Sequence, residues 1–367
     1  MARWKDYFME RAFGDFWSDL RAQVGRQPII IMGLGFDPRS IRAFEVLLSQ
    51  KQHKPVGRIL FDFKGAPAIG ERGRLTEELK EQNRKKLQEL SPFIDEGTIE
   101  IKIHDSEGNN VAGRLALKET NARLSNLAKY SDIIIDISGM PRSVFFPLIS
   151  FLLKRQNQGV IRNIHVAILE DANLDARIIG QEYGRAEFYD TFRAHAENKL
   201  VWLPILGHSA PEQLRKIHEF IGSRCTEICP ILPFPSIDPR RGDSIIVSVR
   251  DILFSEMEVI YDNVFYCDER IPFDVYRKIL TLEEYYRNEL IALSDLGRVD
   301  VVVSPLSSKT LSLGVLLAAV ERNLSVCSVN PGAYIVEAKD VSELALTPEE
   351  LPTEIWLAGD PFTKAKE

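Results

Sequence analysis

Apolar residues fall along this chain in two alternating patterns. Short, near-continuous runs of Ile, Val and Phe recur, and between them lie longer stretches with apolar residues every three or four positions. Continuous apolar runs fit strands buried on both faces of a sheet, and the 3.6-residue period fits amphipathic helices. Strands are therefore expected over 28–32, 58–63, 98–104, 132–137 and 163–169, with helices over 39–50, 74–90, 110–128 and 142–155. Ahead of them, residues 4–24 set Trp4, Phe8, Ala12, Phe16 and Leu20 on one stripe, which predicts an N-terminal amphipathic helix. After Glu170 the pattern loosens, and 199–206 reads as one further strand before Gly207. It then restarts, with helices over 211–221, 243–256, 272–293 and 309–322 and strands over 226–232, 258–266, 300–304, 325–330 and 353–357. Residues 363–367 read as a frayed tail.

Strands that alternate with helices imply parallel pairing through helical crossovers. The expected fold class is α/β, with two Rossmann-like doubly wound halves and mostly parallel sheets. The first domain covers 1–200 with the N-terminal helix, and the second covers 201–367. A length of 367 residues suits two domains.

One turn appears twice. Asp37-Pro38-Arg39-Ser40 and Asp238-Pro239-Arg240-Arg241 each stand between an apolar run and a helical pattern. Each is followed, further on, by a strand ending in a Ser-rich turn with a cation. These turns are Ser138-Gly139-Met140-Pro141-Arg142-Ser143 and Ser304-Pro305-Leu306-Ser307-Ser308-Lys309-Thr310. Asp at the N-cap and Pro at the first helical position suit a helix start. Free N–H groups there attract anions, and Arg adds a fork for phosphate. Gly33, Gly35 and Gly139 let backbone approach a ligand. In open α/β sheets ligands sit beyond the carboxyl ends of the strands, where strand order reverses, so Gly33–Arg39 and Ser138–Ser143 are the expected walls of a crevice. The candidate ligand-binding residues are Gly33, Gly35, Asp37, Arg39, Ser138, Gly139, Arg142, Ser143, Asp238, Arg240, Ser307, Ser308, Lys309 and Tyr334. Tyr334 is read as a ring on which a base can stack. The competing reading makes Asp37 a cap and leaves Arg39 solvated.

Composition narrows the function. A net charge of −7 argues against bulk nucleic-acid binding, although a local basic pocket remains compatible with it. Residues 1–25 carry both charges and are no signal peptide, and no apolar run approaches a membrane span, so the expected location is the cytoplasm. Cys225, Cys229, Cys267 and Cys327 lack zinc-ligand spacing. His53, His104, His165, His195, His208 and His218 share no motif, and His165 reads as a core residue within a buried strand. No metal and no cofactor is called beyond a nucleotide ligand, and the chain reads as a binder more than as an enzyme.

An apolar strand followed by Ser138-Gly139-Met140-Pro141-Arg142 and an apolar helix resembles the second ligand-binding motif of CRISPR-associated Rossmann-fold (CARF) domains. Those domains have a Thr/Ser-Gly-Gly-Thr-Lys turn that grips a cyclic oligoadenylate. Gly33–Arg39 stands where that family contacts the same ligand, and two fused halves are similar to the SAVED sensors of bacterial anti-phage systems. The resemblance implies a cytoplasmic nucleotide sensor or accessory protein that acts through an effector protein or by homo-oligomerisation. Two other readings stand beside it. One is a metal-dependent enzyme on a nucleotide or sugar phosphate, using Asp37 or Asp136. The other is a ligand-free interaction scaffold built on the N-terminal helix and the surface of 74–90.

Overall fold

The computed structural model describes residues 2–50, 54–65, 71–195, 198–207, 210–292, 299–336 and 346–363. In chain order the first elements are β1 (Phe8–Glu10), α1 (Phe13–Ala22), β2 (Pro28–Leu34), α2 (Arg39–Ser49), β3 (Val56–Lys64), α3 (Glu71–Glu89) and β4 (Phe93–Lys102). Next come α4 (Ala112–Ala122), α5 (Leu124–Leu127), β5 (Asp132–Asp136), α6 (Arg142–Asn157), β6 (Asn163–Ile168) and α7 (Ala172–Arg177). They are followed by β7 (Ile179–Phe188), β8 (Lys199–Leu206), α8 (Ala210–Ile221), β9 (Cys225–Ile228), β10 (Ile231–Pro233), α9 (Arg241–Asp251) and β11 (Phe265–Cys267). The last are α10 (Pro272–Ala292), β12 (Val299–Leu306), α11 (Lys309–Arg322), β13 (Ser325–Ile335), β14 (Thr353–Ala358) and α12 (Asp360–Thr363).

The chain is α/β with two mostly parallel sheets, as its alternation predicts. The first sheet runs β1-β14-β6-β5-β2-β3-β4. Its strands β6, β5, β2, β3 and β4 are parallel, and every residue of β2, β5 and β6 is buried. β14 adds antiparallel to β6, and β1 adds antiparallel to β14. The second sheet runs β11-β10-β8-β12-β13-β7, with β9 also paired to β8. In each sheet the first strand of the helical alternation, β2 or β8, lies between its second and its fourth, which is the doubly wound order.

The contacts divide the chain into two units. One holds Trp4–Gln181 with Gly332–Glu367, and the other holds Met1–Arg3 with Glu182–Pro331. The C-terminal strand, grouped from sequence with 201–367, thus pairs in the first sheet. Three further differences have local causes. The stripe over 4–24 forms a helix only at 13–22, because Phe8–Glu10 pairs with Glu354–Trp356. β7 was not anticipated, since its Gly- and charge-containing sequence shows no apolar period. The run 199–206 is the central strand of the second sheet, flanked by β10 and β12, and no mere addition to the first domain.

At the amino end of the first sheet lies a buried ionic cluster. His165 is fully buried on β6, with Nδ1 2.7 Å from Glu354 Oε1 and Nε2 3.2 Å from Asp132 Oδ1. Trp17 Nε1 donates to Glu354 at 2.8 Å, and Arg26 pairs with Asp132 at 2.9 Å and Asp360 at 2.7 Å. Burial alone would lower the imidazole, but the two carboxylates outweigh it and hold it above its ordinary value.

Candidate ligand-binding site

β2 and β5 lie side by side in parallel, with Ile31 opposite Ile135, so the turns that leave them meet at the carboxyl edge. Their approach is close enough to require glycine at one place. A Cβ on Gly139 would sit 2.5 Å from Ser40 Cβ and 3.3 Å from the Gly33 carbonyl oxygen. Gly33 itself is held by packing, since a Cβ there would meet the Phe63 ring at 2.6 Å. Gly35 differs from both, because the nearest atom to its Cβ would be 3.8 Å away.

The Asp37 turn is fastened down. Asp37 Oδ1 accepts from the Arg39 backbone N–H at 2.9 Å, and its carboxylate takes the Arg39 guanidinium bidentately at 2.6–3.0 Å. Arg39 Nη2 also pairs with Asp175 of α7 at 2.8 Å. Asn83 of α3 donates to the carbonyls of Gly35 and Asp37 at 2.9 and 3.1 Å. Arg39 is only 4% exposed. Burial opposes its charge, but Asp37 and Asp175 more than compensate and keep it protonated. Arg39 is therefore a buried, doubly paired group and not the solvated one of the competing reading.

The β5 turn is divided. Ser138 is buried, its hydroxyl accepting from the Leu169 N–H at 2.9 Å and its own N–H donating to Asp136 at 2.9 Å. Ser143 is half-buried and its hydroxyl accepts from Asn110 at 3.3 Å. Arg142, also half-buried, is the first residue of α6, whose first turn carries no acidic residue. Tyr334, 42% exposed, lies near enough to Arg142 and Asp175 for both charges to act on its phenol. Tyr334 thus joins Arg142 in the first unit, although the sequence had suggested the second half.

In the second unit β8 and β12 are the equivalent pair, with Leu206 opposite Leu306. A Cβ on Gly207 would meet the Leu306 carbonyl oxygen at 2.7 Å and Ser307 Cα at 2.9 Å, the same close approach of turns as at Gly139. Ser308 caps α11, its hydroxyl accepting from the Leu311 N–H at 3.3 Å. Lys309 is half-buried at the first position of α11, again with no acidic residue in the first turn, and Ser307 is buried. Asp238 and Arg240 do not belong to this crevice's central pair. They follow β10, the second strand of the alternation, whereas Asp37 follows the first. Both turns nevertheless close alike, since Asp238 Oδ1 accepts from the Arg240 N–H at 2.9 Å. Asp238 and Arg240 are exposed, and the buried cation of this turn is Arg241, paired with Glu269 at 2.8 Å.

The sequence reading missed the clamp supplied by α3. Lys80 and Arg84 reach Asp62 at the end of β3, at 2.8 and 3.1 Å, and Lys64 reaches it at 3.0 Å. Burial would raise the Asp62 carboxyl, but these three cations outweigh it and hold it below the ordinary range. The available signal was Lys80 and Arg84 one turn apart on a highly charged helix. Among the described residues no group of His, Cys, Asp and Glu is arranged to hold a metal. Burial pushes the thiols of Cys225 and Cys229 up to about 12, far from a reactive thiolate. His53 and His208 lie outside the described residues. No described helix is long and apolar enough to cross a membrane. No protein-family model matches this chain, and no curated protein sequence matches it.

Proposed function

We propose that the chain binds a phosphate-bearing nucleotide, including cyclic forms, at the carboxyl edges of its sheets and serves as a sensor or accessory protein of prokaryotic anti-phage defence. One observation carries the reading. Each sheet ends its fourth strand in a turn that opens a helix with a half-buried cation, Arg142 on α6 and Lys309 on α11. The free N–H groups of a helix start and a cation on its first residue both favour a bound anion. Both cations stand at the reversal of strand order, where α/β sheets take ligands. Tyr334 beside Arg142 supplies a ring for a base. Asp37 is neutralised by Arg39, which favours binding over chemistry at that carboxylate.

Calorimetric titration with mono-, di- and cyclic nucleotides tests this. Arg142→Glu and Lys309→Glu should each reduce affinity by at least about tenfold, roughly 1.4 kcal/mol, while thermal denaturation stays near that of the parent. Equal affinity in both variants would refute the assignment.

A further inference from the structure

At the β1 edge of the first sheet is an open groove of about 340 Å³, away from the carboxyl-edge turns. Half-buried Phe8 of β1 and Phe16 of α1 form its floor above the buried Trp356 of β14, with ring centroids 5.3–6.1 Å apart. Its rim carries Glu10, Asp15 and Asp19, and the other described lining residues are uncharged. Glu10 Oε1 accepts from the N–H groups of Arg11 and Ala12 at 2.8 and 3.0 Å, which fixes that carboxylate at the lip. Asp15 and Asp19 are exposed and one turn apart on the same helix face, where like charges repel.

From this geometry we infer that the groove docks a lysine- or arginine-bearing amphipathic segment of a partner protein. Aromatic faces accept the aliphatic stems and, at close range, the cationic heads, while the three carboxylates complement the charge. A cation bridging Asp15 and Asp19 removes their mutual repulsion. The groove is too open to enclose a small ligand, which needs most of its surface covered. It lies against β1, the last strand on that side of the sheet among the described residues, so an extended segment can run beside it.

The test is a fluorescence-anisotropy titration of the full chain with a short fluorescein-labelled Leu-Lys peptide, a Leu-Glu peptide of equal length serving as control. The Leu-Lys peptide should bind and the Leu-Glu peptide should not. Asp15→Asn/Asp19→Asn should weaken binding about tenfold, the scale of two exposed ion pairs. Gln23→Lys, which introduces a cation into the lining, should weaken it as well. Glu77→Gln/Glu78→Gln removes the same charge from exposed positions on α3 and should leave binding unchanged. The proposal is overturned by no binding, by equal binding of the two peptides, by equal losses in the α3 control, or by n-butylammonium competing as well as the peptide.

Discussion

Arg39 and Arg142 each open a helix at the carboxyl edge of one sheet, and they differ in burial. Arg39 is locked by two carboxylates, whereas Arg142 is half-buried beside a partly exposed tyrosine. The pairing of Arg39 with Asp175 was not legible in the sequence, because helix-start chemistry is local and Asp175 lies over a hundred positions away in a stretch with no clear pattern. His165 shows the same limit. Its burial was legible from the apolar run around it, but its pairing with Glu354 depends on strand placement that periodicity does not encode. This pair has a pH consequence. The folded imidazole is held above its unfolded value of about 6.5, so its stabilisation is complete below that pH and fades as pH rises through the folded value. Asp132 is shifted the other way, so its contribution is present above about 3.9 and is lost in acid. Denaturation followed by tryptophan emission should give a stability plateau that declines on the alkaline side. His165→Gln should flatten that decline and cost about 3–5 kcal/mol where the parent is most stable. An unaltered alkaline limb in the variant removes His165 from the account.

Among the elements, the helices before and after the fourth strand of each sheet pack against one another through a glycine. In the first unit Gly113 of α4 lies against the Ser143 carbonyl at the start of α6, and in the second Gly314 of α11 lies against the Pro272 carbonyl at the start of α10. A methyl group at either position would fall inside contact distance of backbone oxygen, which cannot rotate away. Gly113→Ala and Gly314→Ala should therefore each cost about 1–3 kcal/mol or more. Gly35→Ala, whose new methyl would meet its neighbours only at ordinary van der Waals distances, should change stability by less than about 0.5 kcal/mol. Urea midpoints measure all three, and a neutral Gly314→Ala contradicts the packing. Gly314 interrupts an apolar helix, which suggests close packing on the sheet, but its neighbour is the start of α10. Gly113 sits among ordinary helix residues, and only the neighbouring helix reveals its role. The strong helices and buried strands were readable because their periods are long, whereas β7 and the three-residue β1 and β11 are fixed by pairing alone.

Across the whole molecule, the expectation of two similar halves stands in strand order and in the turns at Gly139 and Gly207, while the recurring Asp-Pro-Arg falls on non-equivalent strands. Chain order and unit membership also part company. Glu182–Pro331 forms the core of one unit, and residues on both sides of it build the other. A polypeptide of residues 1–200 lacks β14, with Glu354 and the Trp356 side chain that complete the core around Trp17 and His165. It should remain unfolded by circular dichroism, whereas residues 4–181 joined by a flexible linker to 332–363 should show a cooperative transition. A cooperative transition in the 1–200 fragment would show that β14 is dispensable.

The antiparallel β14 also sets a timetable. On the ribosome, the strands β8–β13 emerge as one uninterrupted series, and domains generally fold as units once their chain is out. The first sheet waits for residues 353–358, with Trp17 and His165 lacking Glu354 until then. The half that is synthesised first is thus the half that matures last, and premature termination anywhere before β14 leaves its ionic core with Asp132 but without Glu354 and Asp360.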